Sequence, residues 1–167
     1  SPYRTAQDLF QAARANPGKL TYASYGEGSP NHVAVLQLLN TVGATMTHVP
    51  YKDGGLNDLV GGQVDASLEV TAMAIPQILS GRLRPLVTAA HSRLDKLPDV
   101  PTFVEAGLGA PLYSWNGLFA PAGTPPEVVA RLAAVMQDIT GRADYRQKVL
   151  DFSQVPRSGT PADFAAF

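Results

Sequence analysis

Ser29 and His32 stand three residues apart, close enough in sequence to suggest a hydroxyl activated by an imidazole. The surroundings argue against that chemistry. No Gly-x-Ser-x-Gly elbow is present, and no acid is placed to orient His32. The same residues suit the holding of an anion better. The run Ser24-Tyr25-Gly26-Glu27-Gly28-Ser29-Pro30 follows a predicted strand and opens a predicted helix. A helix N-terminus carries unpaired N–H groups and partial positive charge. Gly26 and Gly28 let backbone approach a ligand, and Ser24 and Ser29 add hydroxyls. An ordinary capped turn between strand and helix has the same pattern, so the motif alone leaves both readings open. No third glycine completes a dinucleotide fingerprint, and no Gly-Lys-Ser/Thr makes a phosphate loop. His48 and His91 lack metal-ligand spacing. No cofactor and no metal are expected.

Weaker candidates lie at other predicted strand ends. Tyr51 and Lys52 could face an acidic ligand, or simply belong to a solvated turn through Asp53-Gly54-Gly55. Asp65 reads as a strand-start acid bonding backbone. Thr71, at the end of the next predicted strand, is placed as a donor on the same rim as Ser24. Trp115 reads as core.

The elements that must position these groups follow from periodicity and punctuation. A helix is predicted over residues 5–15, stopped by Asn16-Pro17-Gly18, and a strand over 19–23. Ser29 as N-cap and Pro30 as first residue start a second helix that Gly43 ends. Strands over 45–49, 64–70 and 85–89 alternate with helices over 56–60 and 72–79. That alternation predicts an α/β fold with a mainly parallel sheet flanked by helices. Proline-rich sequence from 95 to 126 predicts turns, with extended pieces at 112–115 and 117–120. Thr124, Pro125 and Glu127 then read as a capping box for a long helix, followed by another over 143–151. Thr160-Pro161 with Asp163 repeats the start signal, and the short remainder to Phe167 reads as a truncated helix.

With 167 residues, 45% hydrophobic and 16% charged, the chain can bury a core. A net charge of -1 without a basic stripe argues against nucleic acid as a partner. The absence of cysteine rules out disulfides and leaves compartment open. No long apolar run reads as a membrane span, and the polar start Ser1-Pro2-Tyr3 does not read as a signal peptide.

Taken together, several segments resemble the tripartite tricarboxylate transporter receptor family, the Bug or TctC-type periplasmic solute-binding proteins. They are Asn16-Pro17-Gly18-Lys19-Leu20-Thr21-Tyr22, residues 24–32, and His48-Val49-Pro50-Tyr51-Lys52. Further along come residues 58–65, residues 97–102 with Glu105-Ala106-Gly107, residues 117–125, and Gly159-Thr160-Pro161. Their order and spacing run across almost the whole chain. The resemblance implies a two-lobed binding protein of type II topology that captures a small carboxylate or amino-acid-like solute. It implies delivery to membrane permease subunits, a periplasmic location, and no enzymatic activity. It implies ligand contacts from Ser24, Tyr25, Gly26, Gly28, Ser29 and His32, with Thr71 as a weaker carry-over. It also implies that residues 1–116 are the second, ligand-gripping lobe, and that 117–167 are the crossover and part of an incomplete first lobe.

Three departures qualify this. The family's first-lobe sequence is missing, which predicts weak ligand binding and self-association through the helix near 125–139. The turn after Lys52 is shorter than usual, and Glu27 is a charge that would face solvent or favour a cationic group on the ligand. The runner-up readings are an effector-sensing domain of a transcription regulator and a small hydrolase using Ser29 and His32.

Overall fold

The computed structural model describes residues 1–110, 115–152 and 154–166. By packing, the chain falls into two compact units, Ser1–Ser114 and Trp115–Phe167.

The first unit begins with α1 (Ala6–Ala15), whose buried face is Ala6, Leu9, Phe10 and Ala13, the spacing of one helical stripe. Thr5 and Asp8 close a reciprocal capping box at its start. Strand β1 (Thr21–Ser24) follows, then α2 (Pro30–Val42), β2 (Thr47–Pro50), α3 (Leu56–Gly61), β3 (Ala66–Ser67) and α4 (Thr71–Leu79). The strands form one sheet in the order β2-β1-β3, with both pairings parallel. Central β1 therefore points all three strand C-termini at one edge. The chain leaves β1 towards β2, then crosses back past β1 to β3. The reversal makes the carboxyl ends of β1 and β3 a topological switch point, where open α/β sheets place ligands.

The core joins the inner stripe of α2 (Ala34, Val35, Leu38, Leu39) to α1, Tyr22, Met46, Phe103 and Leu108. A smaller cluster holds Ile75, Leu97 and Val100. Arg14 on α1 donates to the Val42 carbonyl at 3.0 Å and so satisfies an orphan acceptor at the end of α2.

Two predicted strands are shorter than expected. The strand expected over 64–70 is paired only at Ala66 and Ser67. On one side Asp65 replaces ladder pairing by accepting from the Thr21 N–H at 2.8 Å and its hydroxyl at 3.0 Å. On the other side the Leu68 carbonyl accepts from the Asn31 side chain on α2, and the Glu69 carboxylate accepts from Tyr25 and Ser67. The strand expected over 85–89 is reduced to one parallel bridge, Thr88 with Thr102.

The second unit contains α5 (Pro126–Gly141), α6 (Ala143–Asp151) and α7 (Pro161–Ala166). The capping box expected at Thr124 does not form. A residue before proline is driven out of the helical region. Pro125, which precedes Pro126, is extended (φ -54°, ψ 137°) and is itself the N-cap, while Thr124 turns its hydroxyl to the Pro121 carbonyl. Asp163 does cap α7, accepting from the Thr160 N–H and hydroxyl, both at 2.7 Å. Of the extended pieces expected near the crossover, 117–120 forms no strand, and 112–114 lies outside the described residues. Trp115, expected in a core, is 52% exposed and meets Phe164 edge-on at 5.1 Å. Thr140 is the buried residue of this unit among those described.

Candidate ligand-binding site

Strand β1 delivers Ser24 to the rim with its side chain wholly buried. Its Oγ lies 2.7 Å from His48 Nε2 and accepts from the Gly26 N–H at 3.1 Å. The serine expected as a ligand hydroxyl thus has its polar contacts inside the fold, where it anchors the loop. The chain then turns through Gly26 (φ 105°) and Gly28 (φ 73°), conformations that disfavour a side chain. The Ser29 N–H donates to the Gly26 carbonyl at 3.2 Å, and the Gly28 N–H donates to His32 Nδ1 at 3.0 Å. Ser29 is the N-cap as expected: its Oγ accepts from the His32 N–H at 3.3 Å. The Gly26, Gly28 and Ser29 N–H groups, expected to present themselves to an anion, all have partners within the loop and its helix. Glu27 is exposed.

A stack of rings lies beneath the loop. His32 and His48 are nearly parallel, with centroids 4.0 Å apart and 11° between planes. Tyr22 stacks on His48 from β1 at 5.0 Å. The reason is sheet geometry. Tyr22 and Ser24 are two apart and share a face, and His48 is the register partner of Tyr22. The two histidines differ in what their nitrogens do. His32 must leave Nδ1 unprotonated to accept from Gly28. His48 meets Ser24 through Nε2, and burial holds its imidazole below the ordinary value. The neighbouring His32 adds to that lowering, and Glu27 opposes it.

Tyr25 ties the loop to its neighbours. Its hydroxyl donates to Glu69 Oε2 at 3.1 Å, and Glu69 Oε1 accepts from the Ser67 hydroxyl at 2.6 Å. Burial, the Glu69 charge and that hydrogen bond push the phenol up to about 12. The Tyr25 ring also lies against Gly54, where a Cβ would overlap it. Asn31, in the first turn of α2, donates its side-chain amide to the Leu68 carbonyl. The ends of β1, β2 and β3 are thus joined by side chains. Thr71 is the first residue of α4, four residues past the end of β3, and is half-buried on this same edge. Tyr51 is half-buried, donates to Asp58 Oδ2 at 2.7 Å and packs on Gly55. Its turn is closed by its own contacts, and Lys52 is exposed.

Sequence reading found the loop but not His48, Glu69 or Asn31. His48 was detectable from alternation once its strand was paired with β1. Glu69 and Asn31 are connected through contacts 44 and 37 residues away, for which no local pattern exists. Surface clefts of about 310 Å³ beside Arg4 and Glu105, and about 370 Å³ beside Gln37 and Phe103, are not lined by rim residues. The rim is singled out by strand order and polar groups. Among the described residues no group of three or more His, Cys, Asp or Glu side chains could hold a metal ion. No helix among them is long and apolar enough to cross a membrane.

The parallel sheet flanked by helices is an α/β fold of the periplasmic-binding-protein-like kind, as its superposition on solved structures shows. The sequence profile of the tripartite tricarboxylate transporter family receptor matches residues 1–167, and the chain belongs to that family. It is 34% identical over 169 residues to a Cupriavidus necator protein encoded in the gbd 5' region, covering 100% of this chain and 51% of that protein. Protein BugT of Bordetella pertussis is 33% identical over 127 residues, covering 74% of this chain and 39% of BugT. Among solved structures, an R. palustris protein with adipate superposes with a TM-score of 0.89 at 30% identity, over 99% of this chain and 56% of that one. MatC from Rhodopseudomonas palustris with bound malate gives 0.80 at 33% identity, over 93% and 54%. The chain spans about half the length of the relatives it matches.

Proposed function

We propose that this chain is the gripping portion of a periplasmic solute receptor, and that the edge formed by loop 24–29 and the start of α4 holds a small carboxylate. The observation that carries the reading is the joining of three strand-end loops at the switch point, beside the N-terminus of α2. Adipate and malate in the related structures support a dicarboxylate as the ligand class. Ser29, Gly26, Gly28, His32 and Thr71 are the assigned contacts. Ser24 and Tyr25 serve by holding the loop. The role is reversible capture and release to membrane permease subunits of the transporter, with no chemical step. Residues 1–116 supply the gripping lobe, and residues 117–167 the crossover with part of an opposing lobe.

Amide chemical-shift titration of this chain with adipate and with malate tests the proposal. The expected result is millimolar binding, with shifts confined to Gly26, Gly28, Ser29, His32 and Thr71. Perturbations elsewhere, or none, overturn the site. Micromolar affinity overturns the view that this chain is one jaw of a clamp.

A further inference from the structure

His48 lies on β2, outside the loop, yet it touches both side chains that fasten the loop's glycines. Its Nε2 is 2.7 Å from the Ser24 Oγ that accepts the Gly26 N–H. Its ring backs the His32 ring at 4.0 Å, and His32 accepts the Gly28 N–H. The groups around it come from every neighbouring element: Tyr22 and Ser24 from β1, Glu27 from the loop, His32 from α2. Two separate functions converge on one imidazole. The nitrogen fixes the hydroxyl of Ser24, which has one proton and otherwise reaches the Gly26 carbonyl at 3.1 Å. The face fixes the plane of His32, and with it the direction in which Nδ1 can accept.

We infer that His48 is a positioning residue for the ligand loop, setting Gly26 through Ser24 and Gly28 through His32. The inference rests on the reading of this loop as the carboxylate grip, but not on any ligand being bound. A planar amide can replace the nitrogen and cannot replace the ring, so the two functions are separable.

The test is hydrogen exchange at single amides in wild type, His48→Ala and His48→Gln, with no ligand present. In His48→Ala the protection of both Gly26 and Gly28 is expected to fall, by about tenfold for a hydrogen bond of ordinary strength. In His48→Gln the protection of Gly26 is expected to return, while that of Gly28 stays low. The Ala23 and Val49 strand amides are expected to keep wild-type protection in both variants. Wild-type protection of both glycines in His48→Ala would overturn the inference. So would a fall shared equally by glycines and strand amides in both variants, since that reports general loosening. Failure of adipate or malate to bind would leave these exchange results unchanged, so the two readings fail separately.

Discussion

At the scale of single residues, the rim is built from groups that bond to one another. Ser29 is the clearest local case. Its hydroxyl caps α2 by accepting from the His32 N–H, and a cap of this kind contributes about 1 kcal/mol. Ser29→Ala is expected to lower unfolding stability by that amount in denaturant titration, with the same fold by circular dichroism. Gly54 is constrained from two directions, by its φ of 86° and by the Tyr25 ring. Gly54→Ala should cost about 2 kcal/mol and displace Tyr25 from Glu69. The check is a urea midpoint together with the Tyr25 ring resonances. His48 makes a pH prediction. Its imidazole is held below 6.5 in the fold, chiefly by burial, so the unfolded chain takes up the proton more readily. Stability from this group is complete above its ordinary value, and declines as pH falls from there through the lowered folded value. The urea midpoint of wild type should drop between about pH 7 and about pH 5, and the drop should be smaller in His48→Gln. An equal drop in both would remove His48 as its source.

At the scale of elements, what could be read from sequence was what neighbours in sequence decide. Ser29, Pro30 and Gly43 bound α2 because a cap, a fixed φ and a left-handed terminus are local chemistry. The α5 boundary was misread by one residue for an equally local reason: two consecutive prolines make the first of them the extended one. Strand β3 was overestimated because its apolar run cannot reveal that Asp65, Leu68 and Glu69 make bonds to side chains or through their own side chains instead of ladder bonds. The candidate site divided the same way. The loop and its cap were visible as a pattern, while its fastening by His48, Glu69 and Asn31 arises only when parallel pairing brings distant residues together. Asn31 gives a prediction at this scale. Asn31→Ala removes the donor to Leu68 and should raise hydrogen exchange in residues 68–71 more than in β1. Equal rises would show that the contact does not hold that segment.

At the scale of the whole molecule, the two units differ in how much apolar surface they bury. The first has a continuous core. The second exposes Val128, Leu132, Val135 and Met136 along α5, together with Phe119, Phe152 and Val155. Apolar faces of this kind associate in water. Light scattering is expected to show self-association that grows with concentration, and Leu132→Glu should reduce it. A concentration-independent monomer would refute the expectation. The self-bonded state of the loop, by contrast, bears on selectivity. Gly26, Gly28 and Ser29 do not offer bare N–H donors to small inorganic anions. On the proposed reading, an incoming carboxylate would have to exchange its own contacts for bonds the loop already makes, so the net gain per bond would be small. Discrimination between solutes would then come from the number of bonds exchanged at once, and a ligand touching a single point of this rim would pass it by.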